Sequence, residues 1–175
     1  MGTFAPGRRP PEKEGLELPS DEVVDMDLLS YSVEENVDRT PAEVFDFCSD
    51  LTNEARWNPD MEHVEKVTDG PVGVGTRFEA KWTRTRPVVV EVVGFDRPEK
   101  WETRSKSGGL EITVRGTLSE AGGGTRIQTH LAVRAKGLAR LYAPLAVLAM
   151  RRGEPGNLRA IKKVLEATSS SDPMR

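Results

Sequence analysis

The spacing of apolar residues changes character along the chain: about two residues per repeat, then briefly 3.6, then two again, then 3.6 to near the end. Leu29, Tyr31, Val33 and Val37 share one face of an extended segment and predict a strand, with Glu35 on that same face. Thr40-Pro41-Ala42-Glu43 predicts a helix start, with Thr40 as N-cap, Pro41 at the first helical position and Glu43 closing a capping box. Val44, Phe47, Cys48 and Leu51 recur at helical spacing and form its expected buried stripe. A second short helix is expected to end at Trp57-Asn58-Pro59, because the residue before a proline is pushed out of helical geometry.

From Met61 onward the period is two, punctuated by turn residues. Val72-Gly73-Val74-Gly75, Asp96-Arg97-Pro98-Glu99, Gly108-Gly109 and Gly122-Gly123-Gly124 mark reversals. Between them Phe78, Ala80 and Trp82 oppose Arg77, Glu79 and Lys81, and Arg86 to Phe95 is β-branched. Trp101, Thr103 and Ser105 oppose Glu102, Arg104 and Lys106, while Leu110, Ile112, Val114 and Leu118 oppose Glu111, Thr113, Arg115 and Thr117. Ile127, Thr129, Leu131 and Val133 oppose Arg126, Gln128, His130 and Arg134. Short turns make this a meander of about six antiparallel strands with one apolar and one charged face.

Such a face needs a cover, and Gly137 to about Ala167 is the helical stretch left to supply it. Leu138, Leu141, Tyr142, Leu145, Leu148 and Ala149 form the expected apolar side of its first half, and Leu158, Ile161, Val164 and Leu165 that of its second. Gly153-Glu154-Pro155-Gly156 predicts a break or kink between them, since proline inside a helix costs about 3 kcal/mol. The expected fold class is α+β: a curved antiparallel sheet of about seven strands wrapped around a long C-terminal helix, with two short helices after the first strand. Its domain spans 26–167. Residues 1–25, rich in Pro, Gly and Glu, and the Ser-rich 168–175 are expected to be disordered tails.

Composition narrows the function. The chain has 175 residues, enough for one domain with a real core. A net charge of -3 with no basic stripe argues against nucleic acid. The single Cys48 allows no internal disulfide, the N-terminus lacks an apolar leader segment, and the most apolar run, Leu138 to Met150, is too short to span a bilayer. A cytoplasmic setting follows as the expectation, with no integral membrane segment and the oligomeric state left open.

The element order, with these motifs, resembles the START-like (SRPBCC) superfamily and its polyketide cyclase/dehydrase and lipid-transport branch. The matching residues spread over about 28 to 166. Val37-Asp38-Arg39-Thr40-Pro41-Ala42-Glu43-Val44-Phe45 resembles the family's first strand running into its first helix, and Asp50-Leu51 with Trp57-Asn58-Pro59 its second helix. Val72-Gly73-Val74-Gly75-Thr76-Arg77-Phe78 is similar to its glycine turn. Phe95-Asp96-Arg97-Pro98-Glu99 and Gly123-Gly124-Thr125-Arg126 are similar to its later hairpins. The resemblance implies a helix-grip fold with an internal cavity opening near the hairpin tips and the kinked helix. It implies no single function, because the superfamily hosts lipid carriers, hormone receptors, aromatases, cyclases, quinone-binding chaperones and stress proteins on one scaffold.

No catalytic set is legible. His63 and His130 read as surface residues, Cys48 as core, and no spacing suits a metal ion or cofactor. Charged residues on the outer face alternate in sign, as cross-strand pairs do. The expected ligand wall is Phe78, Trp82, Trp101, Thr103, Ile112, Val114, Leu131, Leu141, Tyr142 and Leu145, with Leu110 alongside. Polar handles on it are Tyr142, Trp82, Trp101, Thr103, Ser105, Thr129 and Glu35. The leading expectation is binding or carriage of a small hydrophobic molecule such as a lipid, quinone or polyketide-like compound. The alternative is a polyketide cyclase, aromatase or dehydratase, in which Tyr142 and Glu35, with Arg84 or Arg86 at the mouth, would have to converge for proton transfer. A third reading is a protein-interaction or chaperone-like module.

Overall fold

In the computed structural model of the chain, residues 28–83 and 85–167 are described. The expected tails and Arg84 lie outside the described residues. Leu28–Val37 forms strand β1, followed by helix α1 (Pro41–Ser49) and a 3-10 helix (Leu51–Arg56). Strands β2 (Met61–Lys66), β3 (Arg77–Trp82), β4 (Val88–Asp96), β5 (Lys100–Ser107), β6 (Leu110–Ala121) and β7 (Gly124–Ala135) come next, then helix α2 (Ala139–Ala167). Among the described residues the strands make one seven-stranded sheet, ordered β1-β7-β6-β5-β4-β3-β2. Every neighbouring pair is antiparallel. This is the helix-grip architecture expected from the alternation of apolar and charged residues.

Local chemistry sets the element boundaries. Glu43 Oε2 accepts the Thr40 backbone N–H at 2.9 Å and Thr40 Oγ1 accepts that of Glu43 at 3.4 Å, closing the capping box that starts α1. Irregular registers at Val92/Gly94 and at Met61/His63 bend the outer strands. The convex face carries the mixed charges as cross-strand pairs, among them Arg115 with Glu102 at 2.7 Å, Lys106 with Glu111 at 3.1 Å and Arg77 with Glu91 at 3.5 Å.

One end of the concave face is packed solid. Val37, Val44, Phe45, Phe47, Trp101, Leu118, Ile127, Leu158, Ile161 and Leu165 form its core. Phe45, which the expected α1 stripe left out, is fully buried and meets Phe95 and Trp101 edge-on at 4.9 and 5.8 Å. Gly116 makes room for Trp101, since a Cβ there would sit inside the indole ring. The end of α2 is tied to this core. Arg39 Nη2 donates to the carbonyls of Leu165 at 2.6 Å and Glu166 at 2.9 Å, and Glu166 accepts the Asp38 N–H at 3.0 Å.

Two expectations about α2 need correcting. The helix runs unbroken from Ala139 to Ala167, with Pro144 and Pro155 inside it. Both prolines are exposed, and buried Val147 and Leu158 on either side of Pro155 rest on the same sheet, so tertiary packing overrides the local cost. The face turned to the sheet also differs. It is Ala139, Ala143, Val147, Leu158, Ile161 and Leu165 that are buried, whereas Leu138, Leu141 and Leu145 are 82%, 83% and 72% exposed. The physical reason is closeness: a Cβ at Gly109 in the β5–β6 turn would lie 3.1 Å from the Ala139 Cβ, leaving no space for leucine side chains.

Candidate functional site: an open cleft with a polar cluster

Helix α2 rests mainly on β1 and, more lightly, on β7, while α1 covers one end of β5–β7 and the 3-10 helix packs on β2. The middle of the concave face is left partly uncovered. There Thr103, Ser105, Ile112 and Val114 are half-buried, although their side chains point to the same side as buried Trp101 and Leu118. Ile112 and Val114 oppose Val133 and Leu131 on β7, which in turn oppose Leu29 and Tyr31 on β1. The result is an apolar floor rising to a β1–β7 wall, with Val147 and Met150 of α2 beside it.

Polar groups from four parts of the chain lie beside this face, close enough for their charges to act on one another. Glu54, half-buried on the 3-10 helix, accepts Trp82 Nε1–H at 2.7 Å and Asn58 Nδ2–H at 2.6 Å, both at Oε1. Burial pushes the Glu54 carboxyl above its ordinary range, against the pull of those two bonds. Glu154 of α2 is raised as well, first by burial and then by the charge of Glu54; a hydrogen bond from Asn157 opposes the rise. Tyr31 completes the set. Its phenol is pushed far up by burial and then by Glu154, and its hydroxyl is buried without a hydrogen-bond partner among the described residues.

These groups combine two carboxyls that disfavour full ionisation with a hydroxyl left unsatisfied. An unmade hydrogen bond in such a place costs about 1–3 kcal/mol, which a suitable ligand atom recovers. Two carboxyls in this state accept hydrogen bonds from donors, and they keep a proton more readily than free carboxyls do. Burial pushes the Cys48 thiol up to about 12, so it is a protonated core group. Among the described residues no group of three or more His, Cys, Asp or Glu side chains is placed to hold a metal ion. A shallow surface depression at Thr40, Pro41 and Glu120 to Gly124 lies at the other end of β7 from Leu131 and Tyr31, and shares no residue with the cluster.

The ten expected wall residues divide into three groups. Trp82, Thr103, Ile112 and Val114 are half-buried on the concave face, and Leu131 is buried beside Tyr31. Phe78 and Trp101, at 0% and 7% exposure, are packed core. Leu141, Tyr142 and Leu145 are exposed rather than enclosed between sheet and helix. Tyr142 donates its hydroxyl to the Gly108 carbonyl at the β5–β6 turn, pinning α2 to that hairpin.

The pair expected for an enzyme, Tyr142 and Glu35, is not brought together. Glu35 is half-buried at the packed end, where Lys162 reaches it at 3.4 Å. Tyr142 lies about 30 Å away along α2, at 1.5 Å rise per residue. Arg86 is exposed. The residues missed from sequence are Glu54, Glu154 and the role of Tyr31. A signal for Glu154 was present: Ala139, Ala143, Val147, Met150, Glu154, Leu158, Ile161 and Leu165 form one helical stripe, with a single acid at its centre.

No curated protein matches the sequence. Three solved structures share the fold. The protein TTHA0849 from Thermus thermophilus aligns with a TM-score of 0.66 at 18% identity, over 81% of this chain and 99% of that one. Ara h 8.0201 aligns at 0.64 and 19%, over 80% and 99%. MLL2253 from Mesorhizobium loti aligns at 0.63 and 14%, over 83% and 100%. At these identities the likeness shows the fold. The family described as polyketide cyclase / dehydrase and lipid transport matches residues 29–166, nearly all of the described chain. The chain therefore belongs to the polyketide cyclase/dehydrase and lipid transport family, within the START-like superfamily.

Proposed function

We propose that the chain binds a small, largely apolar molecule in the concave cleft and holds its polar end with Tyr31, Glu54 and Glu154. The observation that carries this reading is the buried Tyr31 hydroxyl, left without a partner among the described residues beside an apolar floor and two half-buried carboxyls. Half-buried Ile112, Val114, Thr103 and Trp82 supply the apolar contact. The polar end of the ligand carries hydroxyl or amino donors for the carboxyls and an acceptor for Tyr31. A lipid, a quinol or a polyphenolic polyketide offers such an end.

Extraction of the purified protein into organic solvent, with mass spectrometry of the extract and thermal shift against such compounds, tests this. A stoichiometric apolar compound whose affinity falls at least tenfold in Tyr31→Phe supports the reading. No extracted compound and no thermal shift across the panel would sink it.

A second reading rests on one feature, the raised pair Glu54 and Glu154. A carboxyl poised to exchange a proton beside a bound carbonyl suits cyclisation or dehydration of a polyketide. Turnover of a linear polyketone that disappears in Glu154→Gln, with binding retained, would move the assignment from carrier to enzyme.

A further inference from the structure

The outer side of α2 carries an arrangement that the cleft does not use. Leu138, just before the helix, and Leu141, Leu145 and Leu148 within it are 82%, 83%, 72% and 43% exposed. Their spacing of three, four and three residues puts them on one stripe, on the opposite side of the helix from Ala139, Ala143 and Val147. Toward the C-terminus that stripe continues as Arg152, Arg159 and Lys163, all exposed. A water-soluble domain rarely leaves large apolar side chains contiguous unless something covers them.

Charge indicates what the cover is. Within α2, six basic residues (Arg140, Arg151, Arg152, Arg159, Lys162, Lys163) stand against two acids, Glu154 and Glu166, giving +4 in a chain whose net charge is -3. Neither acid serves the outer stripe, since Glu154 belongs to the cleft and Glu166 accepts the Asp38 N–H. A second copy laid on this face would bring arginines and leucines but no carboxylate to meet them. An anionic bilayer surface offers both partners at once, acyl chains for the leucines and phosphates for the cations. No helix among the described residues is long and apolar enough to cross a membrane, so the geometry is that of a helix lying in the interface.

We propose that the outer face of α2 docks the protein on anionic lipid bilayers, with Leu138, Leu141, Leu145 and Leu148 entering the headgroup boundary and Arg152, Arg159 and Lys163 meeting lipid phosphates. Tyr142 ties this segment to the β5–β6 turn, so docking sets that hairpin of the cleft against the membrane. The proposal stands without the ligand reading, because vesicle binding is measured in the absence of any cleft ligand.

The test is co-sedimentation of the full chain with vesicles of phosphatidylcholine alone or mixed with phosphatidylglycerol. The expected result is binding to the anionic vesicles that weakens steeply in about 0.5 M salt. Leu141→Glu with Leu145→Glu lowers partitioning by about tenfold or more. Arg152→Glu with Arg159→Glu lowers it by about fivefold per residue. These positions are exposed, so unchanged thermal melting confirms that the variants fold. Absence of binding to anionic vesicles, or equal binding by the wild type and both variants, overturns the proposal. So does sedimentation equilibrium showing a dimer that Leu141→Glu with Leu145→Glu dissolves, which would make a second copy the occupant.

Discussion

The two halves of α2 share one helix and face one sheet, yet they are held by different means. The C-terminal half buries Leu158, Ile161 and Leu165 against α1 and the closed end of the sheet, and Arg39 ties its last carbonyls down. The N-terminal half turns Ala139 and Ala143 inward and its leucines outward, over a concave face whose floor is only half-covered. Large side chains pointing in build a core; small ones pointing in let the helix approach the β5–β6 turn closely and free the large ones for another surface. Core packing and exposed apolar surface are therefore assigned to opposite ends of the same element.

Truncating one leucine in each half tests this division most severely. Leu158→Ala, at a site 2% exposed, is expected to cost about 2–5 kcal/mol in urea unfolding. Leu141→Ala, at 83% exposure, is expected to stay within about 0.5 kcal/mol of wild type. Equal losses would refute the division.

Overfilling the closed end comes next. Gly116→Ala drives a methyl into Trp101 and is expected to cost about 1–3 kcal/mol, with a shift in indole fluorescence as the ring moves. An unchanged unfolding midpoint would mean that this end is looser than the contacts around Trp101 indicate. Removing the tie is of similar size: Arg39→Ala is expected to cost about 2 kcal/mol. Hydrogen exchange should then quicken at Lys163 to Ala167 and leave the N-terminal half of α2 unchanged.

The smallest effect concerns the open end and depends on pH. Glu154 titrates higher in the folded protein than in the unfolded chain, so its ionisation opposes folding. That penalty is absent below the unfolded value of about 4.5, grows as pH rises and is complete above the folded value. Glu154→Gln should accordingly match wild type in acid and be the more stable protein at neutral pH. A variant less stable at neutral pH would show that the carboxylate is paired rather than strained.

Much of this was legible in the chain. Alternation through Phe78, Ala80 and Trp82, and through Leu110 to Leu118, marks strands because one face of each is buried and the other wet. The capping box at Thr40 and Glu43 is a local interaction, visible at a spacing of three residues. Helix α2 was harder, because its first half offers two apolar stripes. Residue size favours Leu138, Leu141, Leu145 and Leu148, whereas proximity to Gly109 selects Ala139 and Ala143. The same ambiguity hides Glu154: its neighbours Gly153, Pro155 and Gly156 signal a break locally, while the buried stripe puts it on the side of the helix that faces the sheet.

Short-range interactions settle the elements, their order and the antiparallel meander, since periodicity, caps and turns act over a few residues and are written in the chain. They also settle which strand faces are apolar. Which side of α2 meets the sheet depends on how closely two backbones approach, and that is a property of the folded molecule. Folding likewise brings Tyr31, Glu54 and Glu154, from β1, the 3-10 helix and α2, within range of one another's charges, which follows from how the helices pack on the seven strands and not from any spacing along the chain.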